Sequence, residues 1–129
     1  MFEQMTFVVD IDGTLCPIKS MEEKYEDLIP HREMVERLRY YNENGAKIVM
    51  YTSRNMKSYQ GNIGLINAHT AKVLLEWLDR WQIPYNEIIY GKPWPGPSGF
   101  YVDDRAVRPD EFLKYTPEEL KNICERSKL

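Results

Sequence analysis

No stretch of this sequence is apolar for long enough to span a bilayer, which takes about 20 residues in a helix. The apolar segment ahead of Asp10-Ile11-Asp12 is also too short for a secretory signal. Neither a membrane protein nor an exported one is expected. Cysteine is scarce. Cys16 and Cys124 are the 2 present, and without an export signal they read as free thiols of a reducing compartment, the cytoplasm. Histidine is equally scarce: His31 and His69, both near expected helix starts, read as structural or surface residues. Without clustered His and Cys a zinc site is not expected. No charge dominates. A net charge of −3 argues against a nucleic-acid partner held by bulk electrostatics. Repeats, low-complexity tracts and linkers are absent as well.

What is present describes one globular domain over residues 1–129, with 43% apolar and 29% charged residues. A domain of this size buries roughly two thirds of its unfolded surface. Phe7-Val8-Val9, Ile48-Val49-Met50-Tyr51, Ile88-Ile89-Tyr90 and Phe100-Tyr101-Val102 are short continuous apolar runs, as buried parallel strands require. Met34, Val35, Leu38 and Tyr41 recur at helical spacing, with Gly45 placed to stop the helix. Val73, Leu74, Trp77, Leu78 and Trp81 form a second apolar helical face, for which Asn67 is a plausible N-cap. Thr116-Pro117-Glu118-Glu119 has the form of a capping box at the start of a last helix. The order β-α-β-α-β-β-α predicts an α/β, Rossmann-like three-layer sandwich with a mainly parallel sheet. Ligands of such folds sit at the carboxyl ends of the strands.

Polar clusters follow each of the four runs. Asp10 and Asp12 lie two apart after the first, where alternation sends both carboxylates to one side. They repel there unless a cation or a shared proton holds them. Gly13 permits a sharp turn, and Thr14 offers a hydroxyl to a phosphate or to the turn. The alternative is a solvated acidic turn. Asp103 and Asp104 repeat the arrangement after Val102. One carboxylate from each strand end plus a backbone carbonyl makes an all-oxygen site of the kind magnesium takes. Thr52 and Ser53 close the second strand, where a hydroxyl and amides suit a phosphate oxygen. Lys92, within Gly91-Lys92-Pro93, closes the third. Asp10, Asp103 and a dianionic phosphomonoester bring about four negative charges. Magnesium and Lys92 return about three, with Arg54 and amides for the remainder.

Val9-Asp10-Ile11-Asp12-Gly13-Thr14-Leu15 resembles the first motif of the haloacid dehalogenase superfamily. Thr52 is similar to its second motif, Lys92 to its third, and Val102-Asp103-Asp104 to its fourth. The resemblance implies that Asp10 attacks phosphorus and becomes an aspartyl-phosphate. Asp12 would protonate the leaving oxygen and then activate water. Thr52 and Lys92 would steady the phosphoryl group. Magnesium would be held by Asp10, the Asp12 carbonyl and Asp103, with Asp104 as ligand or support. The acid at Asp12 favours phosphoryl transfer over carbon–halogen cleavage. From Asp12 to Thr52, and from Thr52 to Lys92, there is room for little more than a helix and its loops, so a cap domain is not expected. The site would be open unless loops or a neighbouring subunit of a homo-oligomer cover it.

A narrower resemblance links Arg54-Asn55-Met56, Gly61-Asn62, Asn67 to Thr70, Gly91-Lys92-Pro93-Trp94 and Gly99 to Arg105 to small phosphatases of capsular polysaccharide biosynthesis. It implies a small phosphorylated metabolite, a sugar phosphate or similar, as the partner. Two long loops, Cys16 to Ile29 and Arg54 to Ile66, would serve in place of a cap. Thr14, Ser53, Arg54, Asn55 and Asn62 are the candidate substrate contacts, while Trp94 and Tyr59 stand beside the site in loops. Trp77 and Trp81 read as core. Two other readings stay open: a catalytically idle relative that binds a phosphorylated ligand, and a phospho-receiver signalling domain.

Overall fold

The computed structural model of the protein describes residues 1–129. Two compact units make up the chain, Met1–Trp94 and Pro95–Leu129. The first is α/β and compatible with a Rossmann-like arrangement. It runs β1 (Thr6–Val9), α1 (Arg32–Glu43), β2 (Lys47–Thr52), α2 (Ile63–His69), α3 (Ala71–Arg80) and β3 (Glu87–Tyr90). A single 3-10 turn at Tyr25–Asp27 lies between β1 and α1. The strands form a three-stranded sheet in the order β1-β2-β3. Both pairings are parallel, with Val9 opposite Met50 and Thr52 opposite Tyr90.

Each apolar run becomes a strand here because it has a neighbour to pair with, and helices cover one side of it. Val8 and Ile89, expected to be buried, stay 62% and 46% exposed. α1 lies against β2, α2 against β3, and α3 against α2 and the 3-10 turn. Leu38, Ile48, Met50, Ile66, Leu74, Trp77 and Leu78 have no accessible surface and form the centre of the core. The Trp77 indole N–H donates to the Leu28 carbonyl at 2.7 Å. The buried ring thereby fastens the loop after β1 to α3 while satisfying its own polar atom. Gly45, with φ at +105°, ends the α1 region in the left-handed conformation that its position calls for.

Several local expectations change. The helix with the Val73, Leu74, Trp77 and Leu78 face, expected to start after Asn67, is α3 and starts at Ala71. A separate helix, α2, precedes it with Asn62 as N-cap, its side chain accepting from the Leu65 amide. Asn67 is inside α2. Trp81 is the C-cap of α3 and is 37% exposed rather than part of the core.

In Pro95–Leu129 the structure departs further. Phe100-Tyr101-Val102 is not a strand, and the unit consists of α4 (Pro109–Lys114) and α5 (Pro117–Ser127). The capping box forms as expected at Thr116: its hydroxyl accepts from the Glu119 amide at 3.2 Å, and the Glu119 carboxylate accepts from the Thr116 amide at 3.0 Å. α4 starts on a second such feature, the Glu111 carboxylate accepting from the Arg108 amide at 2.8 Å. No helix in the chain is long and apolar enough to cross a membrane.

Candidate active site

Asp10 follows directly on β1, Thr52 is the last residue of β2, and Lys92 lies just past β3. Since the three strands are parallel, all three residues stand at one edge of the sheet, where α/β folds gather ligands. Two tight turns complete the group. After Asp10 the chain folds back through Gly13, whose φ is +90°. The Gly13 amide donates to the Cys16 carbonyl, and the Thr14 and Leu15 amides to that of Ile11. This return puts the Thr14 hydroxyl 3.1 Å from Asp10 Oδ2. After β3, Gly91 takes a φ of +84°. The Lys92 amide then donates to the Thr52 carbonyl at 3.1 Å. The Lys92 ammonium reaches Asp10 Oδ1 at 3.3 Å. Asp10 therefore meets a hydroxyl at one oxygen and a cation at the other, with its side chain still a third open at 33%.

Asp12 has a different environment. The Arg54 guanidinium grips it with both arms, Nε to Oδ2 at 3.1 Å and Nη2 to Oδ1 at 2.8 Å. The Arg54 side chain is only 1% exposed and that of Asp12 23%. The Tyr25 ring lies against the guanidinium, its centroid 4.0 Å away. Burial pushes the Tyr25 hydroxyl above its ordinary range, with Asp12 adding to the effect. Cys16 is buried with its sulfur 3.6 Å from Asp12 Oδ1. Burial, and next the Asp12 charge, push its thiol from 9.0 up to about 12, so it is neutral at physiological pH. Thr52 is buried too, its hydroxyl accepting from the Arg54 amide at 3.0 Å. That bond fixes the start of the Arg54 side chain.

The other candidates are distributed as follows. Arg54, expected on an open loop among the substrate contacts, is instead enclosed beside Asp12. Asn55 sits in the left-handed region, φ +63°, and its side chain accepts from the Thr70 hydroxyl at 2.7 Å. Asn62 is exposed and occupied as the N-cap of α2. Ser53 is half-buried at the end of β2. In the same unit Lys57 stands over the Trp94 ring at 5.8 Å, and Tyr59 meets His69 at 5.9 Å between centroids. Asp103 and Asp104 belong to Pro95–Leu129 and are exposed. Asp103 Oδ1 accepts from the Arg105 amide at 2.8 Å, and Asp104 pairs with Lys128 at 3.9 Å.

Neither unit by itself gathers three or more His, Cys, Asp or Glu side chains around one point. In donor chemistry, the Asp10 carboxylate and the Asp12 carbonyl offer oxygen alone, and the neighbouring Cys16 thiol is neutral. Such donors fit a hard divalent cation of the magnesium type.

No family model matches the chain, and no curated protein matches it. Among solved structures, the crystal structure of a structural-genomics target from Vibrio cholerae superposes with a TM-score of 0.89 at 46% identity. The match covers 96% of this chain and 99% of that one. The chain belongs to the family of that Vibrio cholerae protein.

Proposed function

We propose that the protein is a magnesium-dependent phosphomonoester hydrolase of the haloacid dehalogenase type, without a cap domain. One observation carries the reading: Asp10 stands at the end of β1 between the Lys92 ammonium and the Thr14 hydroxyl, with part of its side chain open. A carboxylate so placed is aimed by two donors, and the same cation can hold an incoming phosphoryl group against it. Asp10 attacks phosphorus, and the bond to the leaving oxygen breaks as Asp12 supplies the proton. Asp12 then takes a proton from water, whose oxygen attacks the phosphorus of the aspartyl-phosphate. Phosphate departs and Asp10 is regenerated. By the resemblance, Asp10, the Asp12 carbonyl, Asp103 and Asp104 would hold magnesium, which would supply positive charge to the transferring phosphoryl group. Lys92, Thr14 in the turn after β1 and Thr52 at the end of β2 orient that group.

The substrate is a small polyhydroxylated phosphate, a sugar phosphate or similar metabolite of polysaccharide biosynthesis, acted on in the cytoplasm. The resemblance of the segments around Arg54, Gly61, Lys92 and Asp103 to capsular polysaccharide phosphatases supports that choice. So does the polar loop with Asn55 and Lys57 beside Trp94. The test is release of inorganic phosphate from a set of phosphorylated metabolites and an aryl phosphate. Turnover greatest on a small sugar phosphate is expected, silenced by a chelator and restored by magnesium better than by calcium. Ligand binding without turnover of any phosphate would instead indicate a catalytically idle relative.

A further inference from the structure

Arg54 is the most fully buried charged residue in the chain, and the proposed reaction gives it no step. Its guanidinium has two of its nitrogens engaged and the third unmatched. Nε and Nη2 hold the two oxygens of Asp12, and the face of the guanidinium lies on Tyr25. Nη1 is buried with no hydrogen-bond partner. A buried donor left unsatisfied loses its bonds to water with nothing in return. Keeping a buried guanidinium here is thus an expense in stability that a smaller apolar residue would not incur.

The elements around this group are themselves braced. Tyr25 belongs to the 3-10 turn, and the turn is tied to α3 at two points. The Arg80 guanidinium donates to the Glu26 carbonyl at 2.8 Å, and the Trp77 indole to that of Leu28 at 2.7 Å. Behind the guanidinium, the Arg54 amide is held by Thr52 Oγ1. The fork is fixed at its root, on its face and at its tips.

We infer that Arg54, backed by Tyr25, is a positioning residue that fixes the plane of the Asp12 carboxylate for proton delivery to the leaving oxygen. A carboxylate has about four acceptor positions, of which the two arms of Arg54 use two. The Cys16 thiol approaches Oδ1 at 3.6 Å, and what is left serves the side of Asp12 that is open. A planar fork sets orientation as well as distance, which an ammonium cannot do. The inference deepens the proposed hydrolase reading and rests on it.

The test compares two substrates, a sugar phosphate and an aryl phosphate with an acidic phenol, in Arg54→Lys and Arg54→Ala. Proton delivery matters most for the poorer leaving group. Turnover of the sugar phosphate should fall roughly 10²-fold, within the range for losing acid catalysis. Turnover of the aryl phosphate should fall far less, with KM nearly unchanged for both. Guanidinium added at low millimolar concentration should restore part of the activity of Arg54→Ala by filling the space against Tyr25. Equal losses on both substrates, or a change confined to KM, would overturn the inference. If Arg54→Ala does not fold, Arg54→Lys and Tyr25→Leu carry the same comparison. If the wild type turns over no phosphate, the hydrolase reading fails and the clamp is judged separately by melting temperatures. Non-additive shifts for Arg54→Lys and Asp12→Asn would then support it, and additive shifts would overturn it.

Discussion

Phe7-Val8-Val9-Asp10 and Phe100-Tyr101-Val102-Asp103 are near-copies of one pattern, an aromatic residue and two more apolar ones ahead of an acid. They have opposite fates. The first is a strand paired along its length with β2, its last residue buried, and the acid beyond it meets a cation and a hydroxyl. The second is no strand, and Phe100 and Val102 are 87% and 97% exposed. Apolar character alone does not make a strand. Pairing partners and a covered face do, and an isolated run of three has neither by itself. The same holds for the acids: Asp10 meets a lysine remote in sequence, whereas Asp103 accepts from Arg105 and Asp104 pairs with Lys128, both within their own unit.

The sharpest way to break this comparison is at the acids. Asp10→Asn should reduce turnover to background at any magnesium concentration, since no metal can replace a nucleophile. Asp103→Ala should instead raise the magnesium needed for half-maximal activity by roughly 10–100-fold, as loss of metal support does, and excess magnesium should recover much of the rate. Phosphate release measured across a magnesium series separates the two behaviours. A normal rate for Asp10→Asn would remove the nucleophile, and a magnesium-independent loss in Asp103→Ala would remove that residue from the metal's ligands.

A second comparison concerns the valines ahead of these acids. Val9→Ala strips apolar bulk from a residue 7% exposed and should cost roughly 2 kcal/mol in urea denaturation. Val102→Ala should fall within about 0.5 kcal/mol of wild type, as exposed substitutions do. Equal costs would mean that the second run is as well covered as the first.

The thiols give the smallest effect. Below pH 9 Cys16 is protonated in both the folded and the unfolded chain, and its full stabilising difference is present. As pH rises from 9.0 towards about 12 the unfolded chain ionises first, so stability should fall across that window. Cys16→Ala should flatten the fall. Alkylation at neutral pH should reach half-exposed Cys124 well before buried Cys16.

Much of the first unit was legible in the sequence because its signals are local. The runs at Phe7, Ile48 and Ile88 are short, continuous and bounded by turn residues, and each is a strand within a residue or two of the expected limits. Thr116 with Glu119 specified the start of α5 in four residues. Asn67 misled because it precedes a good apolar face, whereas Gln60 and Gly61, both at positive φ, turn the chain earlier and leave Asn62 to cap. The start of α4 carried a readable signal in Arg108-Pro109-Asp110-Glu111, hidden by the stronger one that follows. Around the candidate site, the residue types were readable but not their partners. Arg54 sits 42 positions from Asp12 and Lys92 sits 82 from Asp10. Nothing local distinguishes a guanidinium enclosed beneath Tyr25 from one that meets solvent.

A carboxylate oxygen of Asp10 is the proposed acceptor of the phosphoryl group, and trapping that group tests the proposal most directly. Wild-type protein mixed with magnesium and an aryl phosphate, quenched in acid within the first turnover, should carry one added phosphoryl group by intact mass. Borohydride reduction of the acyl phosphate followed by peptide sequencing should locate the change at Asp10 and leave Asp12 unmodified. The adduct should be missing from Asp10→Asn. An adduct on any other residue, or phosphate release at full rate with no adduct at any quench time, would contradict the covalent role assigned to Asp10.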